Sequence, residues 1–252
     1  MADDATKAGE STESPIATDR PTDSASPGLV PWRTLQFETG YKFTRFEGDG
    51  EQSASHAAPD LLVRYGINKR VEARLFVTGW TFQNGSSGDD DGFNDISLGA
   101  KIALAEEKGR RPQMGLLVDV SLPVGHSEFS SDYVIPKVLF LAAHGLTDRV
   151  GLTYNIGPSL VTSKEDGGSR TDVDLHYAVA LSGATGGPVT FFGEVYGAFA
   201  FGGDRLDRHV LQTGATVLLH RSFQIDFRIG LGLVDNEPDW LAGAGLAFRL
   251  PF

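Results

Sequence analysis

Three sets of residues in this chain have types that carry chemistry: a run of carboxylates, six histidines, and many charges spaced two apart. Asp89, Asp90 and Asp91 lie between Gly88 and Gly92 and offer hard oxygen ligands of the kind calcium takes. They lack the ligand spacing and closing Glu of an EF-hand loop, so they read as a solvated acidic loop tip. Glu165-Asp166 and residues 235–239 repeat that acidic character. His56 and His126 fall in loops, and His144, His209 and His220 fall near strand ends. His176 sits on an inward face. No local spacing among the six suits a metal. A membrane-embedded hydrolase needs a Ser–His pair with an acid or amide partner. The clear apolar faces carry isolated Thr and neither Ser nor His. Cys is absent, which removes thiol nucleophiles, thiolate ligands and disulfides. The expectation is a non-enzyme with no cofactor and no metal.

The remaining charges alternate with apolar residues, and a period of 2 is the signature of strands. Residues 239–252 show it: Trp240, Ala242, Ala244, Leu246, Phe248, Leu250 and Phe252 share one face, opposite Gly243, Gly245 and Arg249. Residues 223–233 are the clearest case, with Phe223, Ile225, Phe227, Ile229, Leu231 and Leu233 set against Gln224, Asp226, Arg228, Gly230 and Gly232. About twelve such strands follow from Trp32 onward, and bacterial barrels need an even number. The stretch 133–143 is ambiguous in phase because of Pro136. The stretch from Val71 puts Phe76, Trp80 and Phe82 on the polar face, where Phe192 and Tyr196 also fall.

Connections after odd strands are long and polar: 47–56, 83–92, 125–132, 162–170, 202–207 and 234–238. Those after even strands are tighter, as at Asn68-Lys69 and His220-Arg221, with 105–112 the exception. That rhythm fits an up-and-down barrel with long loops on its outer side. A barrel of this size is too wide for side chains to fill an apolar interior. The economical solution turns the apolar face to lipid and the polar face to the lumen. The expected fold class is therefore all-β, a transmembrane up-and-down antiparallel barrel. Its candidate lumen-lining residues are Glu38, Lys42, Arg64, Glu72, Arg74, Lys101, Asp119, His176, Glu194, Asp226, Arg228 and Arg249.

Composition agrees. Thirty-one Gly in 252 residues disfavour long helices. No apolar run is long enough for a transmembrane helix. A net charge of −11 argues against nucleic acid as partner. Residues 1–30 are polar, rich in Asp, Ser, Thr and Pro, and are expected as a flexible lead-in to a barrel over 31–252. Whether that lead-in enters the barrel stays open. The acidic N-terminus is no signal peptide, so the expectation is that one was removed.

Several ordered pieces resemble one family. They are Thr18-Asp19-Arg20-Pro21 before Leu35-Gln36-Phe37-Glu38-Thr39-Gly40-Tyr41; Asp95-Ile96-Ser97-Leu98-Gly99-Ala100-Lys101; Leu122-Pro123-Val124-Gly125; and the terminal pair of strands from Gln224 to Arg249. Over residues 17–252 the chain is similar to the outer-membrane family named for the meta-pathway of phenol degradation. One departure is Pro251, which removes a donor near the end of the closing strand. The resemblance implies an outer-membrane location and passive passage of small molecules, aromatic or hydrophobic ones included. Leu246, Phe248, Leu250 and Phe252 resemble the insertion signal of such barrels, whose partners are lipid, lipopolysaccharide and the outer-membrane assembly machinery. Two other readings stay open: a closed structural or adhesion barrel, and a soluble carrier.

Overall fold

The computed structural model describes residues 14–48, 51–86, 88–165, 167–203 and 205–251. The chain forms one antiparallel meander of fifteen strand segments: β1 (Thr34–Gly48), β2 (Glu51–Ala58), β3 (Leu61–Gly66), β4 (Val71–Val77), β5 (Trp80–Gly85), β6 (Gly88–Phe93), β7 (Ile96–Ala105), β8 (Gln113–Leu122), β9 (Ile135–Gly145), β10 (Val150–Glu165), β11 (Gly168–Ala184), β12 (Val189–Phe201), β13 (Arg208–His220), β14 (Phe223–Gly232) and β15 (Trp240–Pro251). β15 pairs with β1 from Thr34↔Pro251 to Arg45↔Trp240 and closes the barrel. The segment pairs β2/β3, β4/β5 and β6/β7 are each one strand with a short interruption. Fifteen segments therefore make twelve barrel strands.

The faces are inverted relative to a soluble protein. Phe227, Ile229 and Leu231 are 51%, 54% and 53% exposed on the outside, while Glu38, Glu72 and Lys101 are 0% exposed inside. An apolar belt around a polar interior is the pattern of a membrane-spanning barrel.

The three interruptions lie side by side. Pro59 ends β2 and cannot donate to the ladder. Opposite it Gly79 adopts φ 73°, and a Cβ there would lie 2.6 Å from Pro59. The break at 78–79 shifts the side-chain phase, which corrects the sequence reading. Phe76 lines the interior, but Trp80 and Phe82 point outward. Register shows this directly: Phe43 is opposite His56, which is opposite Phe82, and paired residues share a face. Phe43 in turn packs on Trp240 with ring centroids 4.8 Å apart, and Trp80 donates to Asp91 at 2.8 Å. These rings, with Tyr177 and Phe199 farther round, form an aromatic girdle.

Three of the expected loops are not loops. Residues 47–56, 83–92 and 162–170 belong mostly to the hairpins β1–β2, β5–β6 and β10–β11. Beyond the membrane both faces of a strand meet water, so the apolar alternation disappears while the ladder continues. The acidic tip Asp89-Asp90-Asp91 lies in β6, the edge of the sheet order. The connection 123–134 covers that edge, with His126 N donating to Phe93 O at 2.8 Å. Asp95 anchors this connection by accepting from Gly125 N, Ser131 N and the Ser131 hydroxyl. The ambiguous strand is resolved as β9. Its Leu139 and Leu141 face inward and form a small buried cluster with Leu117 and Ala25.

Candidate functional site

Ala25 belongs to the N-terminal segment, and residues 14–33 run through the lumen. The path begins at the short-turn end, where Ile16 N donates to Arg221 O at 2.7 Å. It rises to Asp23, turns, and descends past Ala25 and Val30 to Trp32, which bridges Gly66. Of the lead-in expected over 1–30, residues 14–30 lie against the inner wall of the barrel; residues 1–13 lie outside the described residues. Polar composition kept this stretch from building an apolar core, but the surface it meets is polar as well.

The wall satisfies the backbone of this segment with side chains, as buried N–H groups require. Glu38 accepts from Asp19 N and Arg20 N at 2.9 and 2.8 Å. Glu194 accepts from Asp23 N and Ser24 N at 2.9 and 2.7 Å. Glu72 accepts from Val30 N at 2.7 Å. Asn155 accepts from Ala25 N and donates to Ala25 O, as a neighbouring strand would.

Two ion clusters hold the segment from its side chains. Asp19 accepts from Arg74 at 2.5 Å and from Lys101 at 2.8 and 3.1 Å. Arg64 stands 3.7 Å from it. Arg64 also donates to Glu72 through Nε and Nη2 at 2.8 and 2.9 Å, and to Glu38 at 2.9 Å. In the second cluster Arg20 pairs with Asp60 and lies 3.6 Å from Asp226. Arg228 lies 3.5 Å from Asp60 and donates to Pro21 O at 3.1 Å.

Burial alone would raise the Asp19 carboxyl, but Arg64, Lys101 and Arg74 hold it well below its usual value of 3.8. The folded pKa lies below the unfolded one. The stabilisation is therefore complete above about pH 4 and is lost as pH falls toward the folded pKa. Thermal unfolding in detergent should be unchanged by this group between pH 7 and 5, and destabilisation should set in below about pH 4. An Asp19→Asn variant should show a weaker acid dependence there, and an identical one would remove Asp19 as its source.

The predicted lumen residues thus separate by position. Glu38, Arg64, Glu72, Arg74 and Lys101 meet in one cluster, and Asp226 and Arg228 in another. Glu194 caps the turn of the segment. Asp119 lies 3.9 Å from Lys137, and His176 bonds Ser159 at 2.8 Å. Arg249 holds Ser14 O at the short-turn end. Lys42 lines a cavity. Of the insertion signal, Leu246 and Leu250 are exposed outward and Phe248 stacks on Phe37; Phe252 lies outside the described residues.

Sequence reasoning missed Asp19, Arg20, Asn155 and Asp174. Asp174 is 1% exposed and takes Arg205 at 2.6 Å and Arg208 at 3.3 Å. Its inward phase was legible. Asp19 and Arg20 had one available signal, as adjacent opposite charges in a stretch with few large apolar residues.

Unfilled space remains on both sides of the segment. An outer cavity of about 460 Å³ lies toward the long hairpins and an inner one of about 220 Å³ toward the short turns. A third, of about 250 Å³, shares Ser97, Asp119, Lys137 and Arg208 with the outer cavity. Arg20, Pro21 and Thr22 line both the outer and the inner cavity, so they form the partition between them. Phe76 and Tyr196 face the outer side of it and Phe192 the inner.

The fold is similar to that of known membrane barrels. The COG4313 outer membrane channel from Pseudomonas putida F1 aligns with a TM-score of 0.73 at 12% identity, covering 93% of this chain and 100% of that one. The NanC porin aligns at 0.56 and 10% identity, covering 86% and 100%. The translocator domain of the autotransporter NalP from Neisseria meningitidis aligns at 0.53 and 14% identity, covering 99% and 97%. At these identities the likeness is one of fold. No curated protein sequence matches the chain. The profile of one family, described as "Putative MetA-pathway of phenol degradation", matches residues 18–250.

Proposed function

The chain belongs to this phenol-degradation family, and from that premise we propose that it is a passive outer-membrane channel for small molecules, aromatic ones among them. The observation that carries the reading is the partition. The stretch Arg20-Pro21-Thr22 lines cavities on both its outer and its inner side, so a route through the lumen would open by displacement of this segment. Aromatic rings on both sides of that stretch, Phe76 and Tyr196 above and Phe192 below, favour aromatic solutes. With the short turns toward the periplasm, the hairpin end faces outward. The bilayer, lipopolysaccharide and the outer-membrane assembly machinery are then the expected partners. A second reading, a closed structural barrel, is favoured by how fully the segment is bonded to the wall.

Conductance in planar bilayers separates the two. The wild type should pass a small current, and Asp19→Ala combined with Arg20→Ala should raise it severalfold by releasing both ion clusters. Both signs of charge line the route, so weak ion selectivity is expected. Silence from both proteins, with assembly intact, would favour the closed barrel.

A further inference from the structure

Five of the six basic residues lining the outer cavity are already paired with a carboxylate. Lys42 is not. It projects from β1 into the cavity and makes no hydrogen bond or ion pair among the described residues. Two acids on the same cavity are also unused. The Asp23 and Glu237 side chains make no hydrogen bond or ion pair among the described residues. All three sense one another's charge without touching. The rest of the lining includes an apolar wall of Leu62 and Phe76, paired on β3 and β4, with Tyr196 of β12 facing it across the lumen. Among the described residues the other lumen wall charges are bonded to one another or to the threaded segment, so this trio stands apart.

One ammonium wants an acceptor, two carboxylates want donors, and an apolar wall wants a flat hydrocarbon body. We propose that the outer cavity is a binding site for a small aromatic acid bearing a ring hydroxyl or amino group. The acid's carboxylate sits on Lys42, its ring lies in the space between Phe76 and Tyr196, and its ring donor reaches Glu237 or Asp23. Burial raises the Glu237 carboxyl above its usual range, so a donor arriving there relieves a strained charge. The site deepens the channel reading by naming the solute class. Its use in passage rests on that reading, whereas binding itself can be measured apart from conductance.

The probe is 4-hydroxybenzoate, titrated by calorimetry against the full-length protein in detergent, with benzoate and phenol as the analogues lacking one group each. 4-Hydroxybenzoate should bind more tightly than either analogue. Lys42→Met should weaken it by about tenfold or more, as expected for loss of a charge-assisted bond, and leave phenol unchanged. Lys42→Arg should recover most of the loss, and Glu237→Gln should erase the advantage over benzoate unless Asp23→Asn does so instead. Equal binding of all three probes, or indifference to Lys42→Met in a barrel that still shows heat-modifiable migration, would overturn the site. Swelling of protein-loaded liposomes in a neutral sugar tests the channel separately. Binding without swelling keeps the site and removes the channel, and swelling without binding does the reverse.

Discussion

Replacing Arg64 with Ala should destabilise the folded barrel by about 3–5 kcal/mol, the cost of breaking a buried ion cluster from one side. Arg64 is 2% exposed and is shared by Glu38, Glu72 and Asp19. Its guanidinium also donates to Ala17 O and Gly28 O at 3.2 and 3.1 Å, so one side chain ties two passes of the threaded segment to the wall. Without it, Asp19 is left with Arg74 and Lys101, Glu72 with Arg74, and Glu38 with no cation, only Gln36 and the Asp19 and Arg20 N–H groups. Lys is not a substitute, because a single ammonium cannot reproduce the fork that reaches both Glu72 oxygens. The check is equilibrium unfolding in detergent, followed by loss of heat-modifiable migration. Adding Glu72→Gln to Arg64→Ala should return part of the stability by removing an uncompensated charge. A cost below about 1 kcal/mol would mean that water already screens the cluster, as at an exposed pair.

The second large effect concerns the outer face. Phe227 lies midway along β14, between Phe223 and Gly232, and is 51% exposed. Phe227→Arg should cost about 2–4 kcal/mol if the ring lies near the bilayer midplane, enough to impair assembly. The matched control is Thr216→Arg. Thr216 pairs with Asp226 and lines the inner cavity, so its Arg has water to reach. Gly232 is not a suitable control despite its inward phase, since a Cβ there would lie 2.5 Å from Pro238 O. Folded yield in outer-membrane fractions should fall for Phe227→Arg and hold for Thr216→Arg. Equal yields would argue that the outer face does not meet lipid.

The threaded segment shows why some of the site escaped sequence reasoning. The polar character of 14–30 is compatible with solvent and with a polar lumen alike, because both offer hydrogen bonds to the same groups. The partners that decide between them are remote: Ser24 is bonded to Glu194 and Gln224 to Thr18. The misplacement of Trp80 and Phe82 has a local cause. A two-residue break at Gly79 resets the alternation, and a periodicity carried through it assigns the wrong face.

What the sequence determined by itself was everything that repeats every second residue: strand identity, the count near twelve, the inversion of faces, and the inward phase of Glu38, Arg64, Glu72, Lys101, Asp226 and Arg228. Each strand must present one face to lipid and one to water, and that demand is written locally in every segment. Tertiary structure alone decided which charges meet, that Asp19 and Arg20 complete the two clusters, that hairpins replace three loops, and that Lys42 has no partner among the described residues. Those outcomes depend on side chains that come within bonding distance only once the barrel is closed and the segment threaded, and a period of 2 carries no information about that distance.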